Sequence, residues 1–273
     1  MHVPLQAAKI TLGGQSVPWA AAFGSVPLRV LGLSVLHLPG LRLPAYGVFA
    51  AVGMIAALWL SQKTAARVGL EADRLWDAGL FVVMAGFVVS RVTLIAFDPR
   101  AFLRLPLVML ALPSYTWTDA ALTAVAVVIY LRWKRIPVSA ALDAWAPCAA
   151  VVWASLSLGR FFTDADDGMP TRLPWGRVVP GSAGLMHWQP VGVYGALVAL
   201  LLLIGLMLLL ERGGRRGRVA GAALLAFGGA SFLLDMVTQP ESAPGAWLDP
   251  VQWLATGMIF CGGLLLIFLE EAA

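Results

Sequence analysis

Residues 159–195 read GRFFTDADDGMPTRLPWGRVVPGSAGLMHWQPVGVYG, the longest polar interruption in an otherwise apolar chain. Arg160, Arg172, Arg177, Asp164, Asp166, Asp167, His187, Gln189 and Tyr194 stand within it. Further polar residues sit inside apolar runs: Tyr46, Arg91, Asp119 and Asp235. Arginine guanidinium groups suit a phosphate or carboxylate head group, because their fork of donors matches two oxygens at once. A histidine or a carboxylate beside them supplies a base. A charge such as Arg91, about two helical turns inside an apolar run, costs several kcal/mol unless it is paired or faces a wet cavity. Snorkelling to the surface is the alternative for its long side chain.

The elements that hold these residues follow from composition. The chain has 273 residues, 60% hydrophobic and 12% charged, with a mean hydropathy of +0.82. Soluble domains carry about 25% charged residues. An integral membrane protein is therefore indicated, and a spanning helix needs about 20 mostly apolar residues. Seven windows qualify: Pro44–Ser61, Trp76–Phe97, Asp119–Trp133, Ser139–Leu158, Gln189–Leu210, Val219–Val237 and Val251–Leu269. The runs do not alternate apolar and polar, and Gly and Ala are dense, which excludes a β-barrel reading. The expected fold is an all-α polytopic membrane bundle. Residues 1–43 form an extracytoplasmic or interfacial segment, including Ser25–Leu38. Residues 44–273 form one membrane domain with an outer-face loop at 159–189.

Orientation follows from Lys and Arg in the short loops. Lys63, Arg67 and Arg74 follow the first window, Arg132, Lys134 and Arg135 the third, and Arg212, Arg215, Arg216 and Arg218 the fifth. The opposite loops are poorer. The expected N-terminus is outside and the C-terminus is cytoplasmic. The net charge of +4 is accounted for by this bias and calls for no nucleic-acid partner. Tryptophans near both predicted boundaries, such as Trp59, Trp133, Trp175 and Trp247, read as an aromatic belt. Cys148 and Cys261 fall inside helices and form neither a disulfide framework nor a metal motif. No cofactor, metal site or removable signal peptide is expected.

Asp119 reads as a helix N-cap, and Pro147 as a kink. Asp164, Asp166 and Asp167 read as a solvated turn, as a cation site or as partners of Arg160 and Arg172. On this topology Tyr46, Arg91, Asp119, Arg160, His187, Tyr194 and Asp235 all fall within a turn or two of the outer face. A polar cavity open to the outer leaflet is the expectation.

The order of these features resembles the prolipoprotein diacylglyceryl transferase family of bacterial inner membranes. Tyr46-Gly47 resembles the family's Tyr-Gly at the first core helix, and Gly86 with Ser90-Arg91 its Gly-Ala-Arg stretch. Gly159-Arg160-Phe161 is similar to the opening of its signature. Residues 168–176, GMPTRLPWG, are similar to its Gly-x-Pro-Thr-x-Leu-Pro-Trp-Gly, and Gln189-Pro190 through Tyr194 to its His-Pro-x-x-x-Tyr-Glu. Leu248 to Trp253 resembles its late Leu-Thr-x-x-Gln stretch. The resemblance implies transfer of a diacylglyceryl group from phosphatidylglycerol to the lipobox cysteine of a prolipoprotein, at the inner membrane. It implies that Arg160 and Arg91 hold the head group, with Tyr194 and Gln189 beside them and Tyr46 orienting lipid or thiol. His187 and Asp235 are the candidate bases. Gln189, Gly195 and Ser231 stand where the family carries His, Glu and Arg. That departure motivates the alternative, a lipid- or lipoprotein-binding relative without the chemistry.

Overall fold

A computed structural model describes residues 9–12, 15–18, 35–38, 41–97, 116–163, 168–178, 187–239 and 247–271. Most of them lie in helices: α1 (Ala45–Arg67), α2 (Ala72–Phe97), α3 (Trp117–Trp133), α4 (Val138–Phe162), α5 (Val191–Glu211), α6 (Arg218–Asp235) and α7 (Pro250–Glu271). Each expected window is helical. Six of these helices are long and apolar enough to cross a membrane. The exception, α3, has 17 residues and rises about 26 Å at 1.5 Å per residue, short of the roughly 30 Å hydrocarbon layer. The protein is a multi-pass, all-α membrane protein.

Two antiparallel hairpins precede α1. β1 (Lys9–Leu12) pairs with β2 (Gln15–Pro18), and β3 (Val35–Leu38) pairs with β4 (Leu41–Pro44). The described part of the expected interfacial segment Ser25–Leu38 is thus a strand, with Val35 opposite Pro44. The proline-interrupted stretch between Arg100 and Thr118 falls mostly outside the described residues.

At one end of the bundle the connections are tight. After α1, Leu70 N–H donates to Ala65 O at 3.0 Å, with Gly69 left-handed at φ 72°. After α3, Ile136 N–H donates to Leu131 O at 2.8 Å and Arg135 N–H to Arg132 O at 3.1 Å. This is a Schellman turn with Arg135 itself at φ 56°. Such short links make α1 and α2, and likewise α3 and α4, antiparallel neighbours. The start of α1, the end of α2, the start of α3 and the end of α4 consequently share the opposite end of the bundle. Lysines mark the tight-turn end: Lys63 Nζ lies 3.6 Å over the Trp59 ring and Lys134 Nζ 5.0 Å from that of Trp133. Arg67 pairs with Glu211 at 3.1 Å, tying α1 to α5.

The central helix is α4, half of whose apolar window is buried. It packs on α1, α5 and α6, while α6 packs on α7 and α2 lies between α1 and α3. Water is absent from the bilayer, so apolar burial drives association weakly and close backbone approach carries the packing. A side chain at Gly262 would stand 2.7 Å from Gly221 O on α6, and one at Gly228 2.7 Å from Ala255 O on α7. At the α1–α4 contact, a side chain at Gly53 would meet Ser155 Cβ at 2.6 Å. The helix α4 runs on through Pro147, which is buried.

Asp143 shows how the bundle tolerates an internal carboxylate. It is buried on α4, and its two oxygens accept the Gly217 N–H at 2.6 Å and the Ala220 N–H at 2.7 Å. A neighbouring helix thereby caps the start of α6, where backbone N–H groups lack partners and the helix dipole favours an anion. Asp143→Ala should leave two buried donors unsatisfied and destabilise the protein by about 1–3 kcal/mol. A thermal melt in detergent reads this as a lowered midpoint; an unchanged midpoint would contradict the capping role.

Candidate functional site

The end of the bundle opposite the tight turns collects Tyr46, Arg91, Asp119, Arg160, His187, Gln189, Tyr194 and Asp235. Four sets of contacts hold it together.

The first joins α2 to α3. Thr116 is the N-cap of α3, and Asp119 sits three residues on, closing a capping box. Asp119 was expected to be the cap itself; the hydroxyl of Thr116 fills that place. Asp119 is almost fully buried. Its Oδ2 accepts from Thr116 N–H and Oγ1, each at 2.8 Å, and its Oδ1 accepts from Thr93 Oγ1 on α2. Arg91 lies two residues before Thr93. It is 8% exposed, with its guanidinium 5.1 Å over the Phe87 ring. The side chain is therefore withdrawn into the helix interface rather than extended along the surface.

The second joins α1 to α4. A side chain at Gly159 would come 3.2 Å from the Tyr46 ring and 3.1 Å from Phe49. Gly159 thus lets the start of α1 lie against the last turn of α4. Arg160 follows it, exposed. Because α1 is flanked by α2 and α4, Tyr46 stands between the helix ends that bear Arg91 and Arg160.

The third is the loop. β5 (Pro170–Thr171) and β6 (Arg177–Val178) flank β7 (His187–Trp188), with Thr171 and Val178 opposite His187. Gly176 N–H donates to Leu173 O at 3.0 Å, closing the turn over Pro174-Trp175. The glycines at both ends of GMPTRLPWG are explained by backbone approach. A side chain at Gly168 would stand 2.0 Å from Gln189 O, and one at Gly176 2.6 Å from His187 Cβ. Gln189 N–H donates to Met169 O at 3.0 Å, and Met169 N–H to Val237 O at 2.9 Å. The loop is in this way stitched to α5 on one side and to the end of α6 on the other. Trp175 Nε1 donates to Tyr194 Oη at 2.7 Å. His187 Nδ1 lies 2.9 Å from Gly176 O. A carbonyl only accepts, so Nδ1 carries the proton and neutral His187 keeps the lone pair on Nε2.

The fourth joins α6 to α7. Asp235 Oδ1 accepts from Thr238 Oγ1 at 3.3 Å, and on the α7 side Gln252 hydrogen-bonds to the same carboxylate while Asp249 faces it as a like charge. Asp249 is buried, and its N–H donates to Gln252 Oε1 at 3.3 Å.

The loop also contains an arginine that sequence reasoning left without a role. Arg177 donates from Nη1 to Phe161 O at 2.8 Å and lies 5.1 Å over the Phe161 ring. It closes the last turn of α4, next to Arg160. Burial pushes its pKa down from the usual arginine value. Its position directly after Gly176 is the only signal the sequence carries for it. Asp164, Asp166 and Asp167 lie outside the described residues. Among the described residues no cluster of His, Cys, Asp and Glu is grouped to hold a metal ion.

The site therefore offers cationic groups on two helices, an imidazole, a carboxylate and two tyrosines, facing one end of a membrane bundle. It fits an anionic head group and a reaction that needs a proton acceptor.

The family model for prolipoprotein diacylglyceryl transferase matches residues 34–268. The phosphatidylglycerol–prolipoprotein diacylglyceryl transferase of Clostridium tetani is 22% identical over 233 residues, covering 84% of this chain and 94% of that protein. The protein of the same name from Photobacterium profundum is 27% identical over 255 residues, covering 87% and 93%. The one from Cupriavidus pinatubonensis is 26% identical over 252 residues, covering 85% and 89%. With the match running from the second hairpin into α7, this chain belongs to the prolipoprotein diacylglyceryl transferase family.

Proposed function

We propose that the protein transfers the diacylglyceryl group of phosphatidylglycerol to the lipobox cysteine of a prolipoprotein, at the outer face of a bacterial inner membrane. The observation that carries the reading is the family match across residues 34–268, together with the gathering of the polar helix ends at one end of the bundle.

The chemistry follows from the groups available. The thiolate is the nucleophile, so the cysteine proton must first go to a base. The sulfur attacks the glycerol carbon that carries the phosphate. A C–S bond forms, the C–O bond breaks, and glycerol phosphate leaves with the electron pair. Arg160 and Arg91 hold that phosphate and stabilise the leaving charge. Tyr46, between the two arginine-bearing helix ends, orients lipid or thiol. Tyr194, fixed by Trp175, and Gln189 complete the lipid side. Of the two candidate bases, His187 is favoured by its Nδ1–H donation to Gly176 O, which leaves Nε2 ready to accept a proton. Asp235 is the alternative.

A second reading has its own support. A side chain at Gly195 would stand 2.7 Å from Ser157 Oγ, so the Ser157 hydroxyl points at the place where the family carries Glu. Gln189 and Ser231 replace two further family residues. A relative that binds phospholipid without transferring it answers to those facts.

A transfer assay separates the two. Purified protein receives phosphatidylglycerol and a lipobox peptide, and the thioether-linked product is read by mass spectrometry. Product is expected, with a loss of about 10²-fold in Arg160→Ala, the scale of removing one stabiliser of developing charge. Phospholipid binding without product would leave the binding relative. The base is tested in the same assay. His187→Gln should lower turnover by about 10²-fold or more while phosphatidylglycerol binding is kept. Full turnover in His187→Gln, with loss in Asp235→Asn, would move the base to Asp235.

A further inference from the structure

The tight-turn end of the bundle holds a polar cavity of about 130 Å3. Arg67, Arg215, Arg216 and Arg218 line it, with Asp143 and the loop at Gly213 and Gly214. A water needs about 10–15 Å3 by this measure, so a tetrahedral oxyanion fits with part of what it is attached to.

The charges around the cavity do not cancel. Among the described residues four guanidinium groups line the cavity with the Asp143 carboxylate, and Glu211 pairs with Arg67 beside it, so positive charge is in excess. The Asp143 carboxylate is already engaged by the Gly217 and Ala220 N–H groups, and Glu211 by Arg67. Arg215 donates to Leu269 O, which pins the loop to the last turn of α7. The Arg218 guanidinium folds back on the loop, where a side chain at Gly214 would come 3.2 Å from its Nη1. Gly214 has φ 136°, a conformation that requires glycine. The loop thus sets Arg215, Arg216 and Arg218 around the mouth of the cavity, where their side chains remain exposed.

A basic cavity between spanning helices, at the level where a helix leaves the membrane, meets lipid phosphate first. We propose that this cavity binds the phosphate of an anionic phospholipid from the leaflet opposite the candidate transfer site, as a bound lipid that is not the substrate. The ligand chemistry is a phosphate ester held by arginines, with bidentate geometry available. The proposal rests on the membrane fold and this cavity, and stands whether or not the protein transfers a diacylglyceryl group.

Native mass spectrometry of the full chain in detergent tests it, with dioleoylphosphatidic acid or dioleoylphosphatidylcholine added. The unsubstituted protein should retain phosphatidic acid at least tenfold better than phosphatidylcholine. Arg216→Ala/Arg218→Ala should lose one retained phosphatidic acid, and Arg160→Ala should keep it. Arg216→Lys/Arg218→Lys keeps the charge and serves if the alanine pair does not fold; it should retain the lipid about threefold less well, because the forked donors are gone. Equal retention of both lipids, or unchanged retention in both double variants, would overturn the proposal. So would loss of that lipid in Arg160→Ala alone. Inorganic phosphate that displaces the lipid at equal concentration would overturn the lipid assignment in favour of free phosphate.

Discussion

A polar group inside a bilayer must find its partner within the protein, and this constraint decides where the chain keeps its charges. Asp143 is held by the backbone of α6, Asp119 by two threonines, and Asp235 lies against α7. Each carboxylate is also a junction between two helices. The polar residues that make a site costly in lipid are thus the ones that fix the relative positions of the helix ends around it.

The two ends of the bundle are built differently for the same reason. Glycine and Schellman turns make the connections at one end short, and lysines and arginines crowd there. The other end carries the long connections, and the loop after α4 is folded back by backbone pairing to β7 and to the end of α6. A loop fixed in this way can present His187 and Trp175 with geometry set by backbone contacts. Its glycines serve that purpose: at Gly168 and Gly176 there is no room for a β-carbon.

Much of this was legible in the sequence. Helix existence follows from apolar length, and all seven windows are helical. The sorting of Tyr46, Arg91, Arg160, Tyr194 and Asp235 to one end follows from counting spans. What was not legible depends on contacts distant in the chain. The partner of Asp143 lies 74 residues downstream, so nothing local in the sequence marks the aspartate as a cap. Thr116 rather than Asp119 is the cap, because both fit the pattern of helix starts. The two-residue strands of the loop leave no periodicity to detect. Arg177 gains its place only once β6 turns it toward Phe161. Gly195 read as a missing acid; the structure adds that the Ser157 hydroxyl lies beside it.

We propose that the gathered helix ends face outward, away from the lysine- and arginine-rich turns. Cysteine labelling in intact cells tests it most directly. With Cys148→Ala and Cys261→Ser as background, a single Arg172→Cys in the loop is compared with a single Lys134→Cys in the turn after α3. A membrane-impermeant maleimide should label the first in intact cells, and the second only after the membrane is opened. The reverse pattern would place the arginine-rich turns outside and contradict the account.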